Sequence, residues 1–104
     1  MAPPTARCEP DWRVHPETLA GWTLVDVRSP AEHAAHNLGG VNLPVETLEQ
    51  RISELPTGTK LLVYCQSGVR SARAVALLRA RGNASAFSLD GGLSTWATRA
   101  HSSQ

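Results

Sequence analysis

Apolar residues fall into short clusters separated by glycine, proline and charged residues, and the spacing inside each cluster predicts its conformation. Thr23-Leu24-Val25-Asp26-Val27 is a β-branched run and reads as a strand. Leu61-Leu62-Val63-Tyr64 is apolar without alternation. That pattern predicts a strand covered on both faces, as in a parallel sheet between helices. Residues 13–15, 41–43 and 84–89 read as further short strands. Leu48, Ile52 and Leu55 recur at i, i+4 and i+7, so residues 45–55 read as an amphipathic helix ending before Pro56. Residues 71–81 read as another, with Ala74, Leu77 and Leu78 on one side and Gly82 as its stop. Ser29-Pro30-Ala31-Glu32 is a helix start, with serine at the N-cap, proline at N1 and glutamate at N3. Residues 16–20 read as a single helical turn closed by Gly21, and Gly91-Gly92 as a turn into a short helix carrying Trp96.

Strands alternating with helices predict an α/β domain with a mainly parallel sheet. The reading divides the chain into a flexible lead-in at 1–11, one domain at 12–99 and a tail at 100–104. A length of 104 residues suits a single domain and excludes a two-domain enzyme. Ligands of such sheets bind beyond the carboxyl ends of the strands. Two strands deliver polar residues there: Asp26 to Arg28, and Cys65 onward.

Composition narrows the function classes. A formal net charge of +1 speaks against a general nucleic-acid binder. No apolar run approaches the roughly 20 residues of a membrane span, and the first residues lack the apolar core of a signal peptide. Two cysteines, Cys8 and Cys65, cannot build a disulfide framework, so a reducing cytoplasm is the expected compartment. The charge is unevenly placed. Eight of the nine acids lie between Glu9 and Glu54, whereas Leu55 to Leu89 holds Lys60, Arg70, Arg73, Arg79 and Arg81 and no acid. Arg79 and Arg81 read as solvated helix charge. The remainder predicts a positive field that attracts an anion.

The segment Cys65-Gln66-Ser67-Gly68-Val69-Arg70-Ser71 lies between the buried strand and a helix. Its backbone N–H groups can converge on one point, and Gly68 admits a backbone angle that a Cβ forbids. Such a nest, with Arg70, favours thiolate over thiol at Cys65 and cradles an anionic atom attached to it. A buried, inert strand-end cysteine is the alternative that spacing alone leaves open.

Four ordered blocks resemble the rhodanese-like domains, the sulfurtransferase family. Cys65, Gly68, Arg70 and Ser71 match its Cys-x-x-Gly-x-Arg-Ser loop. Leu24-Val25-Asp26-Val27-Arg28, followed by Glu32, matches a second block, and the stretch from His36 to Pro44 a third. Gly91, Gly92 and Trp96 match the closing one. Ala35, Asn37 and Gly40 depart from the family pattern in the third block, where glycine, isoleucine and alanine are usual. The resemblance implies a five-stranded, mainly parallel sheet with helices on both faces. It also implies sulfur carried as a Cys65 persulfide from thiosulfate or a protein persulfide to a nucleophilic acceptor, with no metal or organic cofactor. The N–H groups from Gln66 to Ser71 would hold the persulfide. Arg70 would orient the loop or an anionic donor, and Asp26, Arg28, Glu32 and His36 would stand one shell out, Asp26 as a partner for Arg70. Thiosulfate-using two-domain relatives carry lysine at the Ser67 position and arginine at the Glu32 position, so thiosulfate is expected to be a poor donor.

The loop also resembles rhodanese-like domains fused behind adenylyltransferases that serve ubiquitin-like sulfur carriers in molybdopterin- or thiamine-type synthesis. By that resemblance, an adenylyltransferase or sulfur carrier is a candidate partner and the chain a candidate piece of a longer protein. Three rivals fit less well. A cysteine phosphatase or arsenate reductase needs Cys-x5-Arg, and here only four residues separate Cys65 from Arg70. A non-catalytic module would have dispensed with the cysteine. A thioredoxin-like function needs Cys-x-x-Cys.

The other polar and aromatic residues have plain readings. His36 reads as a loop-bonding residue and His15, His33 and His101 as surface. Glu32 reads as a cap rather than an acid catalyst. Trp96 reads as a core anchor, and Trp12 and Trp22 as packing near the N-terminal segment. Cys8 reads as a lead-in residue, with a resolving thiol as its alternative role.

Overall fold

The computed structural model describes residues 12–96, so the predicted lead-in, the tail, Cys8 and His101 lie outside the described residues. Five strands form one sheet: β1 (Arg13–Val14), β2 (Thr23–Asp26), β3 (Val41–Asn42), β4 (Leu61–Tyr64) and β5 (Ala86–Leu89). Their order is β1-β5-β4-β2-β3, and every neighbouring pair is parallel. Helices α1 (Pro30–Ala35), α2 (Leu48–Arg51) and α3 (Val69–Ala80) run between strands, and residues 92–96 are helical. Among the described residues, no helix is long and apolar enough to cross a membrane.

β4 is the centre of the sheet, and all four of its residues are buried. Side chains of a strand alternate between faces, which explains its unbroken apolar run. Leu61, Val63 and then Cys65 join Val25, Val27, Leu48, Ala74, Val75 and Leu78 on one side. Leu62 and Tyr64 join Leu89 and Leu93 on the other, where Leu19, Trp22, Leu38 and Trp96 pack on them. Helices thus cover both faces, and the thiol belongs to the α3 side.

Two predicted helices take other forms. Residues 16–20 do not form a helical turn. The Thr18 hydroxyl accepts the Ala20 N–H at 3.2 Å, a local bond that replaces the helical one. Residues 45–55 are not one helix: α2 has four residues, flanked by 3₁₀ turns at Val45–Thr47 and Ile52–Glu54. The N–H groups of Thr47 and Leu55 bond carbonyls three residues back, each at 3.0 Å, and tighten both ends. Leu48 and Leu55 remain in the core, so the apolar period survives without a regular helix. The Ser29 start forms as predicted. Its hydroxyl accepts the Glu32 N–H at 3.2 Å, and the Glu32 carboxylate accepts the Ser29 N–H at 3.0 Å.

The carboxyl end of β2 carries a buried ion pair. Asp26 is wholly buried and Arg28 nearly so. The Arg28 side chain donates to both Asp26 oxygens, with Nη2 at 2.8 Å and Nε at 3.0 Å, and Nη2 also donates to the His36 carbonyl. His33 Nδ1 lies 2.8 Å from Asp26 Oδ2. Asn42 Nδ2 donates to the Asp26 and Arg28 carbonyls at 3.0 and 2.9 Å, tying β3 to the same point. Burial pushes the Asp26 carboxyl up, but hydrogen bonds from Arg28 and His33 outweigh it and hold the group below its usual value. Asp26 is therefore the partner of Arg28 and His33, not of Arg70. Nor is His33 a free surface residue, because its ring bonds the buried Asp26. The exposed His36 contributes its carbonyl to Arg28.

Removing the carboxylate leaves Arg28 buried and unpaired. Asp26→Ala should lower stability by about 3–5 kcal/mol in urea unfolding. A loss under about 1 kcal/mol would mean that Arg28 reaches water without its partner.

Candidate active site

Cys65 follows β4 directly, and its side chain is fully buried. The chain then turns through residues 66–68 and enters α3 at Val69, two residues earlier than the periodicity predicted. Gly68 makes the turn, with φ +97°. In that conformation its N–H reaches back to Cys65 Sγ at 3.0 Å. The Ser71 N–H, in the first turn of α3, reaches the same sulfur at 3.3 Å. The Ser71 hydroxyl lies 3.7 Å from Sγ. Two backbone donors and one hydroxyl therefore surround the sulfur where strand and helix meet, an arrangement that stabilises negative charge on it.

A second layer holds the loop from outside. The carbonyl of Cys65 accepts the Leu93 N–H at 2.9 Å, and the carbonyl of Gln66 accepts the Ser94 N–H at 3.0 Å. These are the first N–H groups of the helical segment at 92–96, so each element satisfies the other's end. Gly92 permits the approach: a Cβ there would stand 2.5 Å from the Cys65 carbonyl oxygen. The Gln66 side chain adds a bond to Ser94 Oγ at 3.1 Å.

Arg70 grips Glu32. Its Nη1 and Nη2 donate to the two carboxylate oxygens at 2.9 and 3.1 Å, across 38 positions of sequence. Both side chains are about one-third exposed. The Arg70 hydrogen bonds, followed by the Ser29 backbone N–H, hold the Glu32 carboxyl down to about 2 from an ordinary 4.5. Glu32 thus caps α1 and also anchors Arg70, the partnership expected of Asp26.

The predicted site residues separate by role. Cys65, Gly68, Arg70 and Ser71 come together. Gln66, Ser67 and Val69 are exposed, and the N–H groups that meet the sulfur are those of Gly68 and Ser71. Asp26, Arg28 and His36 belong to the ion-pair cluster after β2. Sequence reasoning missed Ser88, a buried residue of β5 whose hydroxyl meets Ser71 Oγ at 2.8 Å. The available signal was a lone hydroxyl in the strand Ala-Phe-Ser-Leu. It also missed the buttress from residues 92–94, because contacts 28 positions apart leave no mark on local pattern. Among the described residues, no group of three or more His, Cys, Asp and Glu side chains could hold a metal ion.

The sequence model of the rhodanese-like domain matches residues 14–99. An uncharacterised protein of Bacillus subtilis is 42% identical over 74 residues, covering 70% of this chain and 59% of that protein. A protein named sulfurtransferase from Allochromatium vinosum is 39% identical, covering 71% of this chain and 70% of its own length. A probable adenylyltransferase/sulfurtransferase of Mycobacterium tuberculosis, MoeZ, is 34% identical over 84% of this chain, which spans only 22% of that protein. Among solved structures, a rhodanese-related protein from Thermoplasma volcanium superposes with a TM-score of 0.72 at 29% identity, covering 78% of this chain and 81% of that one.

The depressed Glu32 carboxyl fixes the sign of one pH effect. Its ion pair stabilises the fold above pH 4.5, and that contribution is lost as pH falls from 4.5 toward 2. Glu32→Gln should therefore melt below the native protein at pH 6, and the gap should close only as the pH falls below about 2. A gap that persists at the acid end would show that the glutamate stabilises by packing rather than by charge.

Proposed function

This chain belongs to the rhodanese-like domain family, and from that premise we propose that it is a sulfurtransferase carrying sulfane sulfur as a Cys65 persulfide. One observation supports the reading above the others: the Cys65 sulfur receives the N–H groups of Gly68 and Ser71 at 3.0 and 3.3 Å. In the first half-reaction the Cys65 thiolate attacks the outer sulfur of a donor. A Cys65–sulfur bond forms, and the donor's sulfur–sulfur bond breaks with its electron pair on the leaving group. With thiosulfate the leaving group is sulfite; with a protein persulfide it is that protein's thiolate. In the second half-reaction an acceptor nucleophile takes the outer sulfur, and the Cys65 thiolate departs. No net oxidation occurs across the cycle, and no metal or organic cofactor enters it. The loop N–H groups stabilise negative charge on whichever sulfur carries it.

The Glu32–Arg70 pair bears on the donor. A free arginine beside the loop would draw a dianion, but this one is held bidentately by a carboxylate. The local field is close to balanced, which favours donors of low charge, protein persulfides among them, over thiosulfate. A second reading rests on the likeness to the adenylyltransferase/sulfurtransferase over 84% of this chain. In it the acceptor is a small sulfur-carrier protein activated by an adenylyltransferase, and Cys65 is the last sulfur relay before it.

Cys65→Ser should lower sulfur loading, read as a one-sulfur mass gain, by at least ~10³-fold with an unchanged urea midpoint. Undiminished transfer would overturn the assignment. Donor charge gives a separate test with thiosulfate, a dianion, and methanethiosulfonate, a monoanion. Glu32→Gln should raise kcat/KM about tenfold for the first and about threefold for the second, since each loses repulsion in proportion to its charge. Equal gains would remove the electrostatic account of donor choice and leave the persulfide reading standing.

A further inference from the structure

Ser88 lies on β5 among buried apolar residues, and its side chain is wholly buried. Such a hydroxyl is unfavourable in a core unless it is bonded. Among the described residues its side chain has one hydrogen-bond partner, Ser71 Oγ at 2.8 Å. Ser71 Oγ in turn lies 3.2 Å from the Gly68 carbonyl and 3.7 Å from Cys65 Sγ. Two hydroxyls therefore stand in line behind the sulfur.

Counting protons shows what the line does. With Cys65 as a thiol, S–H donates to Ser71 Oγ, and Ser71 donates to the Gly68 carbonyl. When the sulfur is a thiolate it can only accept, so the Ser71 proton is free to turn to it. The Gly68 carbonyl tolerates the loss, because it also accepts the Ala72 N–H at 3.1 Å. Ser71 Oγ is the one acceptor that the Ser88 hydroxyl meets among the described residues, so donation from Ser88 to Ser71 satisfies its proton in both states. That donation occupies a lone pair of Ser71 and polarises its O–H toward the sulfur.

We propose that Ser88 is a positioning residue that acts through Ser71 to stabilise the Cys65 thiolate, both as the attacking group and as the group that departs when the persulfide is discharged. This rests on the persulfide reading for its place in catalysis, but not for its effect on the thiolate. In discharge by cyanide, the bond between the two sulfurs breaks with its electron pair on Cys65. Thiocyanate leaves and the thiolate is regenerated. Ser88 never touches donor or acceptor, so it should alter kcat and leave KM for the donor alone.

The experiment compares Ser88→Ala, Ser71→Ala and the double variant in two assays. One is thiocyanate formation at saturating donor; the other is iodoacetamide alkylation of Cys65 at pH 7, read by peptide mass so that Cys8 does not contribute. Ser88→Ala should lower kcat about threefold to tenfold with donor KM unchanged, and slow alkylation by a similar factor. Ser88→Thr, which keeps the hydroxyl, should restore most of both. The double variant should be no slower than Ser71→Ala, because one effect passes through the other. Additive losses, or a Ser88→Ala protein with native alkylation, would overturn the proposal. Should Ser88→Ala fail to fold, Ser88→Cys keeps the side-chain size with a weaker donor, and native rates in it would overturn the proposal equally. If wild-type protein transfers no sulfur from any donor, the functional reading falls, while the alkylation series still decides the role of Ser88.

Discussion

The site depends on one junction: the end of β4 turned into the start of α3 so tightly that the helix's first donors point at the residue just before the turn. A parallel strand ends with its carbonyls unsatisfied, and a helix begins with its N–H groups unsatisfied. In most βα units the loop and water meet both needs. Here Gly68, in the left-handed region, folds the chain back until Gly68 and Ser71 donate to Cys65 Sγ. The carbonyls of Cys65 and Gln66 are taken by the helical segment at 92–96. The sulfur's two N–H donors therefore have positions set by the backbone. Preorganisation of this kind avoids reorienting dipoles when charge develops.

Everything outside the junction keeps it rigid or sets its charge. β4 is the central strand and is packed on both faces, so Cys65 leaves a fixed platform. The Asp26–Arg28 pair ties the end of β2 to α1, the His36 carbonyl and β3. α1 in turn presents Glu32 to Arg70, so the loop's arginine is held by a helix that follows another strand. Of the conspicuous charges in the acid-free stretch, Arg70 stands nearest the loop, in the first turn of α3. Arg79 donates to the Ala86 carbonyl at 2.8 Å, Arg81 pairs with Glu49, and Lys60 lies over the Trp22 ring. Of the positive field expected from composition, Arg70 and Arg81 are matched by glutamates.

The boundary between local and tertiary control runs through particular residues. Patterns that are satisfied within a few positions could be read directly: the unbroken run of β4, the Ser29-Pro30-Glu32 start of α1, the glycine turn after Cys65. Each has its cause in neighbouring residues, whether burial on both faces, a reciprocal cap, or a backbone angle open only to glycine. The sequence therefore determined the α/β class, the strand that carries the cysteine and the loop that surrounds it. Where a local bond competed with the period, the reading failed. Thr18 captured an N–H that a helix at 16–20 would have used, and 3₁₀ bonds broke residues 45–55 into three pieces although Leu48 and Leu55 stayed in the core.

Only the tertiary structure decided which charges and hydroxyls meet. Arg70 could have faced Asp26 or Glu32, and both are acids near the ends of elements that approach the loop. Asp26 is already saturated by Arg28 and His33, so Glu32 takes Arg70. Ser88 is 17 positions from Ser71 and looks like any small residue in a strand until β5 packs beneath α3. Pairings of this kind depend on sheet order and on which face each residue occupies. Neither quantity leaves a trace at the spacing of a helix turn or a strand pleat, which is the range over which sequence pattern speaks.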